Sequence, residues 1–459
     1  MYTEEQLAFI NYNGTESLIL SAIAGSGKTH CTVGRLNKLI ESGTDPNRII
    51  FFSFTNDAVN ELRARIKHDV KITTIHSYTS SLLGKMGLFK PIVTFYDFAA
   101  WYKEKYKPHT KTPVKLKVEY ANTMEQFYEE GAQISATFSA YKLQNAEGIR
   151  VPKPKYYDAY AAFIKEKQVR DFSDMLIDTE KLSRKSENEK YFKNTYDYVF
   201  VDEYQDTSTM QMRILLKIEA KQYHLIGDKF QAIYGFSGAN CDAIEHILKE
   251  KYPIKELTLT KNFRSHKSIV DHANNYSNLK GTPNTDLVGH VHKEIITEEQ
   301  LYDMMLDGKP LTILARTNYV VKEIEKYGLK NKLKMKYFNY ISQTDIDHIN
   351  KNNINPSIKK RLDAVVPYHR TTQNLLKFIE ENNQSNVFVT TIHKSKGREF
   401  PRCVVVNSVD PDFFDENDDT LYDYSYKDEM GRIDEEARNV HYVAVTRPKE
   451  ELYFLIYEH

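Results

Sequence analysis

Cysteine is scarce: Cys31, Cys241 and Cys403 lie far apart and form no CxxC pair. That excludes a disulfide framework and a zinc site of paired cysteines, and it suits a reducing compartment. Glycine (18) and proline (14) are few for 459 residues, which argues against fibrous or long disordered stretches. No window approaches the ~18 to 20 apolar residues that a membrane-spanning helix needs. The start, MYTEEQLAFINYNG, has no basic stretch followed by an apolar run, so no secretory leader is expected. Net charge is missing as well, with 63 Lys+Arg against 63 Asp+Glu. What is present, 41% hydrophobic and 27% charged residues, fits a folded chain, and the length predicts two to four structural units.

The neutral total hides an uneven distribution. Residues 79–170 hold 15 Lys/Arg against 9 Asp/Glu, and residues 319–385 hold 12 against 7. Residues 410–436 hold 2 against 12. Each run taken alone reads as solvated surface. The acidic run DPDFFDENDDTLYDYSYKDE is read as a solvated loop, since it has no metal-ligand spacing.

Two stretches carry chemistry. ESLILSA reads as a buried parallel strand, followed by the loop Ala24-Gly25-Ser26-Gly27-Lys28-Thr29 and a helix-like stretch to Glu41. Strand, glycine loop and helix form the setting in which backbone N–H groups cradle phosphates. Lys28 would reach the β- and γ-phosphates and the Thr29 hydroxyl would bind Mg²⁺. The full pattern starts with a glycine where Ala22 stands here. In NTYDYVFVDEYQDTS a second buried strand ends in Asp202 and Glu203. An acidic residue there can hold the Mg²⁺, and its neighbour can orient or deprotonate the attacking water. Together the two stretches predict an NTPase. Kinases, GTPases, transporters and motors all share that much.

The rest of the chain narrows the choice. In order come TEEQ with Gln6, FSFTNDAVNELRARI, TTIHSY, DFSDML, LIGDKFQAIYGFSGAN, LTKNFRS, VTTIHKSKGREF and HYVAVTRPKEEL. This succession resembles the UvrD/Rep type of superfamily 1 DNA helicases, over almost the whole chain. The resemblance implies an α/β fold of two RecA-like P-loop lobes with parallel sheets, ATP being hydrolysed between them. It implies that Arg264 and Arg447 bring charge to the γ-phosphate and that Gln231 lies near it or its water. Gln6 would contact adenine, Phe263 would stack on it, and Glu399 with nearby Gly397 would meet the ribose. The family more often has tyrosine at Phe263, and arginine where His30 stands. For single-stranded DNA the matching positions are Phe54, Thr55, Asn56, Thr74, His76 and Ser77, then Tyr234, Phe236, Thr391 and His393. Tryptophan is usual at Phe236, and an arginine is common at Ser237.

The motif order sets the expected organisation. The first lobe takes 1–78 and 171–258, interrupted by a mainly helical, DNA-binding insertion at 79–170. The second takes 259–318 and 386–459, interrupted by a reduced insertion at 319–385. Relatives usually carry a large domain there. The expected activity is ATP- and Mg²⁺-dependent translocation 3′ to 5′ on single-stranded DNA, with separation of duplex. Alternatives are a translocase that needs a partner protein to unwind, and a nucleotide-dependent binding protein that no longer hydrolyses. An RNA track is a further alternative. The expected partners are single-stranded DNA and its junctions with duplex, with no membrane. A monomer is expected, in the cytoplasm of a bacterial cell or of a phage's host.

Overall fold

The computed structural model describes residues 2–457 apart from 194, 236–237, 342, 352–353, 355 and 409–433. The chain divides into two compact units. The first comprises Met1–Ala22 with Gly27–Leu259, the second Ile23–Ser26 with Thr260–His459.

The first unit begins with α1 (Glu4–Ile10), β1 (Ser17–Ala22), α2 (Lys28–Glu41), β2 (Ile49–Ser53), α3 (Asn56–Arg65), β3 (Lys71–Thr74) and α4 (Ile75–Lys85). The helices α5 (Phe95–Lys105), α6 (Val114–Ala146), α7 (Tyr157–Lys167) and α8 (Phe172–Ser183) follow. β4 (Tyr198–Asp202), α9 (Thr209–Leu215), β5 (Gln222–Gly227), α10 (Cys241–Lys249) and β6 (Ile254–Leu259) complete it. Its six strands run parallel in the order β3-β2-β4-β5-β1-β6. Strands covered on both faces tend to read as continuous apolar runs, as β2 (IIFFS) does; β5 (QYHLIG) is also buried throughout but carries Gln222 and His224 inside. All strands point one way, so their C-terminal ends line one edge of the sheet, where parallel α/β sheets bind ligands.

Residues 95–183 form a helical region with its own aromatic core of Phe95, Phe98, Trp101, Phe127, Phe138, Tyr160 and Phe163. A buried ion cluster ties it down: Lys142 on α6 reaches Asp171 and Asp174 at the start of α8, both at 2.8 Å. Burying the Lys142 ammonium is tolerable only because both carboxylates pair and hydrogen-bond with it, while burial and Asp171 raise the Asp174 carboxyl. Asp171 also caps α8 and accepts the Tyr160 hydroxyl at 2.7 Å. The DFSDML stretch thus supplies both carboxylates that hold α6 against the start of α8.

The second unit runs β7 (Lys261–Asn262), α11 (Lys267–Ala273), β8 (Thr282–Pro283), β9 (His290–Ile296), α12 (Glu298–Leu306), β10 (Leu311–Ala315) and α13 (Asn318–Asn331). Then come α14 (Gln343–Asn350), α15 (Pro356–His369), α16 (Thr372–Asn382), β11 (Val387–Thr391), α17 (Ile392–Ser395), β12 (Phe400–Val406), α18 (Glu435–Val445) and β13 (Pro448–Leu455). Five parallel strands make its sheet, ordered β11-β10-β12-β13-β9. Residues 319–385 contribute to that unit's main core: Val321 and Ile324 of α13, Val365 of α15 and Ile379 of α16 share it with Ile313, Val389 and Val404. Among the described residues no helix is long and apolar enough to cross a membrane.

Candidate functional site

The glycine loop joins β1 to α2. Gly25 and Gly27 both have positive φ, +74° and +78°, a conformation that costs an L side chain energy and glycine very little. Gly27 is the N-cap of α2 and brings no capping side chain. The first N–H groups of a 14-residue helix are thus left facing the loop, the arrangement that receives an anion. Lys28 Nζ donates to the Ala22 carbonyl at 3.4 Å.

Beside the loop lies Gln6, 3% exposed, in a capping box at the start of α1: Thr3 N–H donates to Gln6 Oε1 at 3.1 Å. A Cβ added to Gly27 would come within 3.0 Å of Gln6 Nε2, so loop and amide are in contact. The buried Arg35 of α2 fixes α1 from behind by donating to the carbonyls of Ile10 (3.2 Å) and Tyr12. His30 stacks on Tyr2, ring centroids 4.6 Å apart.

Strand order brings the acidic groups to the same edge, since β5 lies between β1 and β4. Asp202 ends β4. Burial and the neighbouring Glu203 push its carboxyl up to about 7, with the Lys28 ammonium pulling it back. Glu203 itself sits in the left-handed region (φ 51°, ψ 44°), strain of the kind that collects at functional sites. Gln205 Nε2 donates to Glu203, and Gln205 Oε1 accepts the Asp228 N–H at 3.2 Å. Asp228 Oδ2 in turn accepts Gln231 Nε2 at 2.8 Å. Burial raises the Asp228 carboxyl, against the pull of Lys28 and Gln231. Lys28, Asp202, Glu203 and Gln231 thus stand together, joined by two residues that sequence reasoning missed, Gln205 and Asp228. The signal for Asp228 was there: Asp202 closes one strand of the sheet, and Asp228 directly follows another, the fully buried β5. Among the described residues no three His, Cys, Asp or Glu gather as a metal cluster.

Within the second unit Phe263 N–H donates to the Gly25 carbonyl (2.9 Å) and Asn262 Nδ2 to that of Ala24 (2.9 Å). The Phe263 ring is 44% exposed. Arg264 and Glu399, expected at the γ-phosphate and the ribose, are paired with each other, Nε to Oε2 at 2.9 Å. Lys449 also bonds Glu399. Burial pushes the Glu399 carboxyl up, but Lys449 and Arg264 outweigh it and hold it below its usual value. The Arg447 guanidinium is buried, donating to the carbonyls of Val443 (2.9 Å) and Arg398 (3.1 Å) and to Thr446 Oγ1 (3.0 Å). Gly397 has φ +79° and open space around its missing Cβ.

On the first unit, a groove of about 710 Å³ collects all six positions expected from its first two DNA motifs: Phe54, Thr55, Asn56, Thr74, His76 and Ser77. Thr55 and Thr74 cap α3 and α4 by accepting the N–H of Ala58 and Ser77. Phe54 is 40% exposed and packs on Tyr234, centroids 5.1 Å apart. Burial lowers the His76 imidazole below its usual range, which keeps it neutral, and its ring meets Phe172 edge-on at 5.0 Å. Phe172 and Phe89, 51% and 70% exposed, line the groove as well and were not expected from sequence. Phe236 lies outside the described residues, as does Ser237.

The second unit repeats this strand-end frame. Ser53 pairs with Thr74 in the first sheet, and Ala315 with Thr391 in the second. Two residues beyond Ser53 and Ala315 stand Thr55 and Thr317, helix caps with backbone angles of −121°, 156° and −124°, 153°. Thr391 caps α17 as Thr74 caps α4, and each is followed by Ile and His. By register, Arg316, Thr317 and Asn318 are the counterparts of Phe54, Thr55 and Asn56, and Lys394 is that of Ser77. The repeated TTIH and the SFTN/ARTN pair in the sequence could have revealed this.

Two parallel α/β units, one with a glycine loop between its first strand and the next helix, define a P-loop nucleotide-binding fold. The family model described as UvrD/REP helicase N-terminal domain matches residues 2–253, and that described as UvrD-like helicase C-terminal domain matches residues 339–459. The chain belongs to the UvrD/Rep helicase family. ATP-dependent DNA helicase Rep of Buchnera aphidicola subsp. Baizongia pistaciae is 27% identical over 393 residues, covering 74% of this chain and 56% of that protein. ATP-dependent DNA helicase PcrA of Staphylococcus epidermidis is 28% identical over 344 residues, 69% of this chain and 44% of that protein. A Mycoplasma pneumoniae protein named "Probable DNA helicase" is 25% identical, with 98% of this chain and 82% of that protein covered. The chain spans about half the length of the first two.

Proposed function

We propose that this chain is an ATP-driven motor on single-stranded DNA that moves 3′ to 5′ and separates duplex. The observation that carries the reading is one sheet edge of the first unit, where the Lys28–Asp202–Glu203–Gln205–Asp228–Gln231 cluster and the Phe54–His76 groove lie together. Support also comes from the helicase names of the relatives, with polarity taken from the resemblance.

In this reading Lys28 and the α2 N-terminus hold the phosphates, and Gln6 and Phe263 hold the base. Mg²⁺ fits the donor set, because this ion is usually held by one or two carboxylates with substrate phosphates and water. Thr29 and Asp202 would hold it, and it would supply charge neutralisation at the β- and γ-phosphates. Glu203 takes the proton of the attacking water or orients it, and Gln231, held by Asp228, faces the same water. Arg264 and Arg447 are assigned to the γ-phosphate charge, which requires each to exchange the partners described above. DNA stacks on Phe54 and Tyr234, with the capping threonines and Asn56 on its backbone.

A second reading, a translocase that unwinds only with a partner, is favoured by one observation. Residues 319–385 are absorbed into the core of the second unit, where the resemblance leads one to expect a separate domain. The test is ATP turnover with and without an unstructured oligonucleotide. Turnover that rises with DNA and is lost in Lys28→Ala supports a motor. Turnover indifferent to DNA contradicts it.

A further inference from the structure

The register repeat between the units makes one position of the second unit stand out. Ser77 lines the groove of the first unit, and its counterpart is a lysine, Lys394. The Lys394 side chain is exposed, yet its end is aimed: Nζ donates to Asn339 Oδ1 at 3.2 Å.

The acceptor is itself fixed. Asn339 Nδ2 donates to Glu325 Oε1 (3.1 Å) and to the Val389 carbonyl (3.0 Å), so its Oδ1 must face Lys394. The Asn339 N–H also reaches the Glu325 carboxylate, at 2.9 and 3.1 Å. Glu325, on α13, is wholly buried and bonds the Tyr340 N–H as well. Burial pushes the Glu325 carboxyl up to about 7 against the pull of the Asn339 and Tyr340 N–H groups, and those hydrogen bonds fix its place. Those bonds form a rigid bracket behind Lys394. An ammonium has three donors and Asn339 engages one, leaving two for an incoming anion.

We propose that Lys394 is a phosphate contact of the second unit on single-stranded DNA, with Asn339 and Glu325 as its positioning residues. This rests on the DNA-motor reading above. A contact held in place before binding loses less side-chain freedom on engaging its ligand than a mobile surface lysine does. It also adds one released counterion to the binding equilibrium.

The test is equilibrium binding of a fluorescent oligo-dT to the full chain across a salt series, for wild type, Lys394→Gln, Lys394→Arg and Asn339→Leu. Thermal melting checks that each variant is folded. Losing one phosphate contact on a single strand lowers the magnitude of the log K against log salt slope by about 0.7. Lys394→Gln is therefore expected to bind about fivefold more weakly at 0.1 M than at 1 M salt, relative to wild type, by the same slope. Lys394→Arg should restore most of the slope, and Asn339→Leu should weaken binding with lysine still present. A wild-type slope in Lys394→Gln overturns the proposal while leaving the motor reading intact. A wild type that does not bind the oligonucleotide overturns both.

Discussion

The two strand-end faces share a backbone frame and differ in chemistry. In the first unit the positions hold Phe54, Thr55, Asn56, Thr74, His76 and Ser77, beside the rings of Tyr234 and Phe172. In the second they hold Arg316, Thr317, Asn318, Thr391, His393 and Lys394. Threonine is retained at both caps because a helix start needs a side-chain acceptor for its unpaired N–H groups. Phe54 and Ser77 give way to Arg316 and Lys394 because those positions face outward and the frame does not depend on them. On the proposed reading the first face stacks bases and the second carries charge. Aromatic stacking is tolerant of sequence, and phosphate contacts are sensitive to salt, so perturbing each face should leave a different signature.

The largest expected effect lies behind the first face. Glu203→Gln should lower ATP turnover by about 10²- to 10⁴-fold, the usual loss for a general base, while oligonucleotide binding persists in filter or anisotropy assays. Near-wild-type turnover would move the catalytic role elsewhere in the cluster, with Asp228 the next carboxylate to change. Next comes Phe54→Ala, which should weaken single-strand binding by ~1 to 3 kcal/mol. Its salt slope should stay that of wild type, the opposite of the Lys394→Gln result. Equal slope changes in both variants would erase the distinction between the faces.

A smaller effect concerns stability. The Asp202 carboxyl is pushed up to about 7 by burial and by Glu203. In the nucleotide-free protein its contribution is therefore full below the ordinary carboxylate value and declines as pH rises through about 7. Asp202→Asn should abolish that decline, gaining on the order of 1–2 kcal/mol at pH 8 once partial exposure is discounted. Calorimetric melts at pH 5 and pH 8 would show it, and a variant equally destabilised at both values would contradict it. The smallest effect tests the shared frame itself. Thr55→Ala and Thr317→Ala should each cost ~1 kcal/mol in denaturant unfolding, and a large inequality would mean the caps are not equivalent.

Local chemistry of this kind is legible in the sequence. A glycine loop after a buried run, and a carboxylate closing another, declare themselves because only those residues satisfy the backbone and charge requirements there. The six groove positions were legible through the resemblance. What pairs with what was not. Arg264 and Glu399 were expected at different parts of a nucleotide, and their mutual ion pair depends on residues 135 apart meeting in space. Arg447 was expected at the γ-phosphate, and only the fold shows its guanidinium donating to the carbonyls of Val443 and Arg398. Residues 319–385 were expected to form a reduced insertion, too short for the large domain of the relatives. The burial of Val321, Val365 and Ile379 shows their place in the core of the second unit. Asp228 and Gln205 were visible as letters, but their role appears only when β5 is seen between β1 and β4.

The most direct test of the account is unwinding of a short duplex with a 3′ or a 5′ single-stranded tail, ATP consumption being followed in the same tube. The account predicts strand separation from the 3′ tail only, coupled to ATP turnover and lost in Lys28→Ala. Separation from the 5′ tail alone, or ATP turnover that DNA does not stimulate, would contradict it. DNA-stimulated turnover without separation on either substrate would contradict autonomous unwinding and leave a translocase that works with a partner.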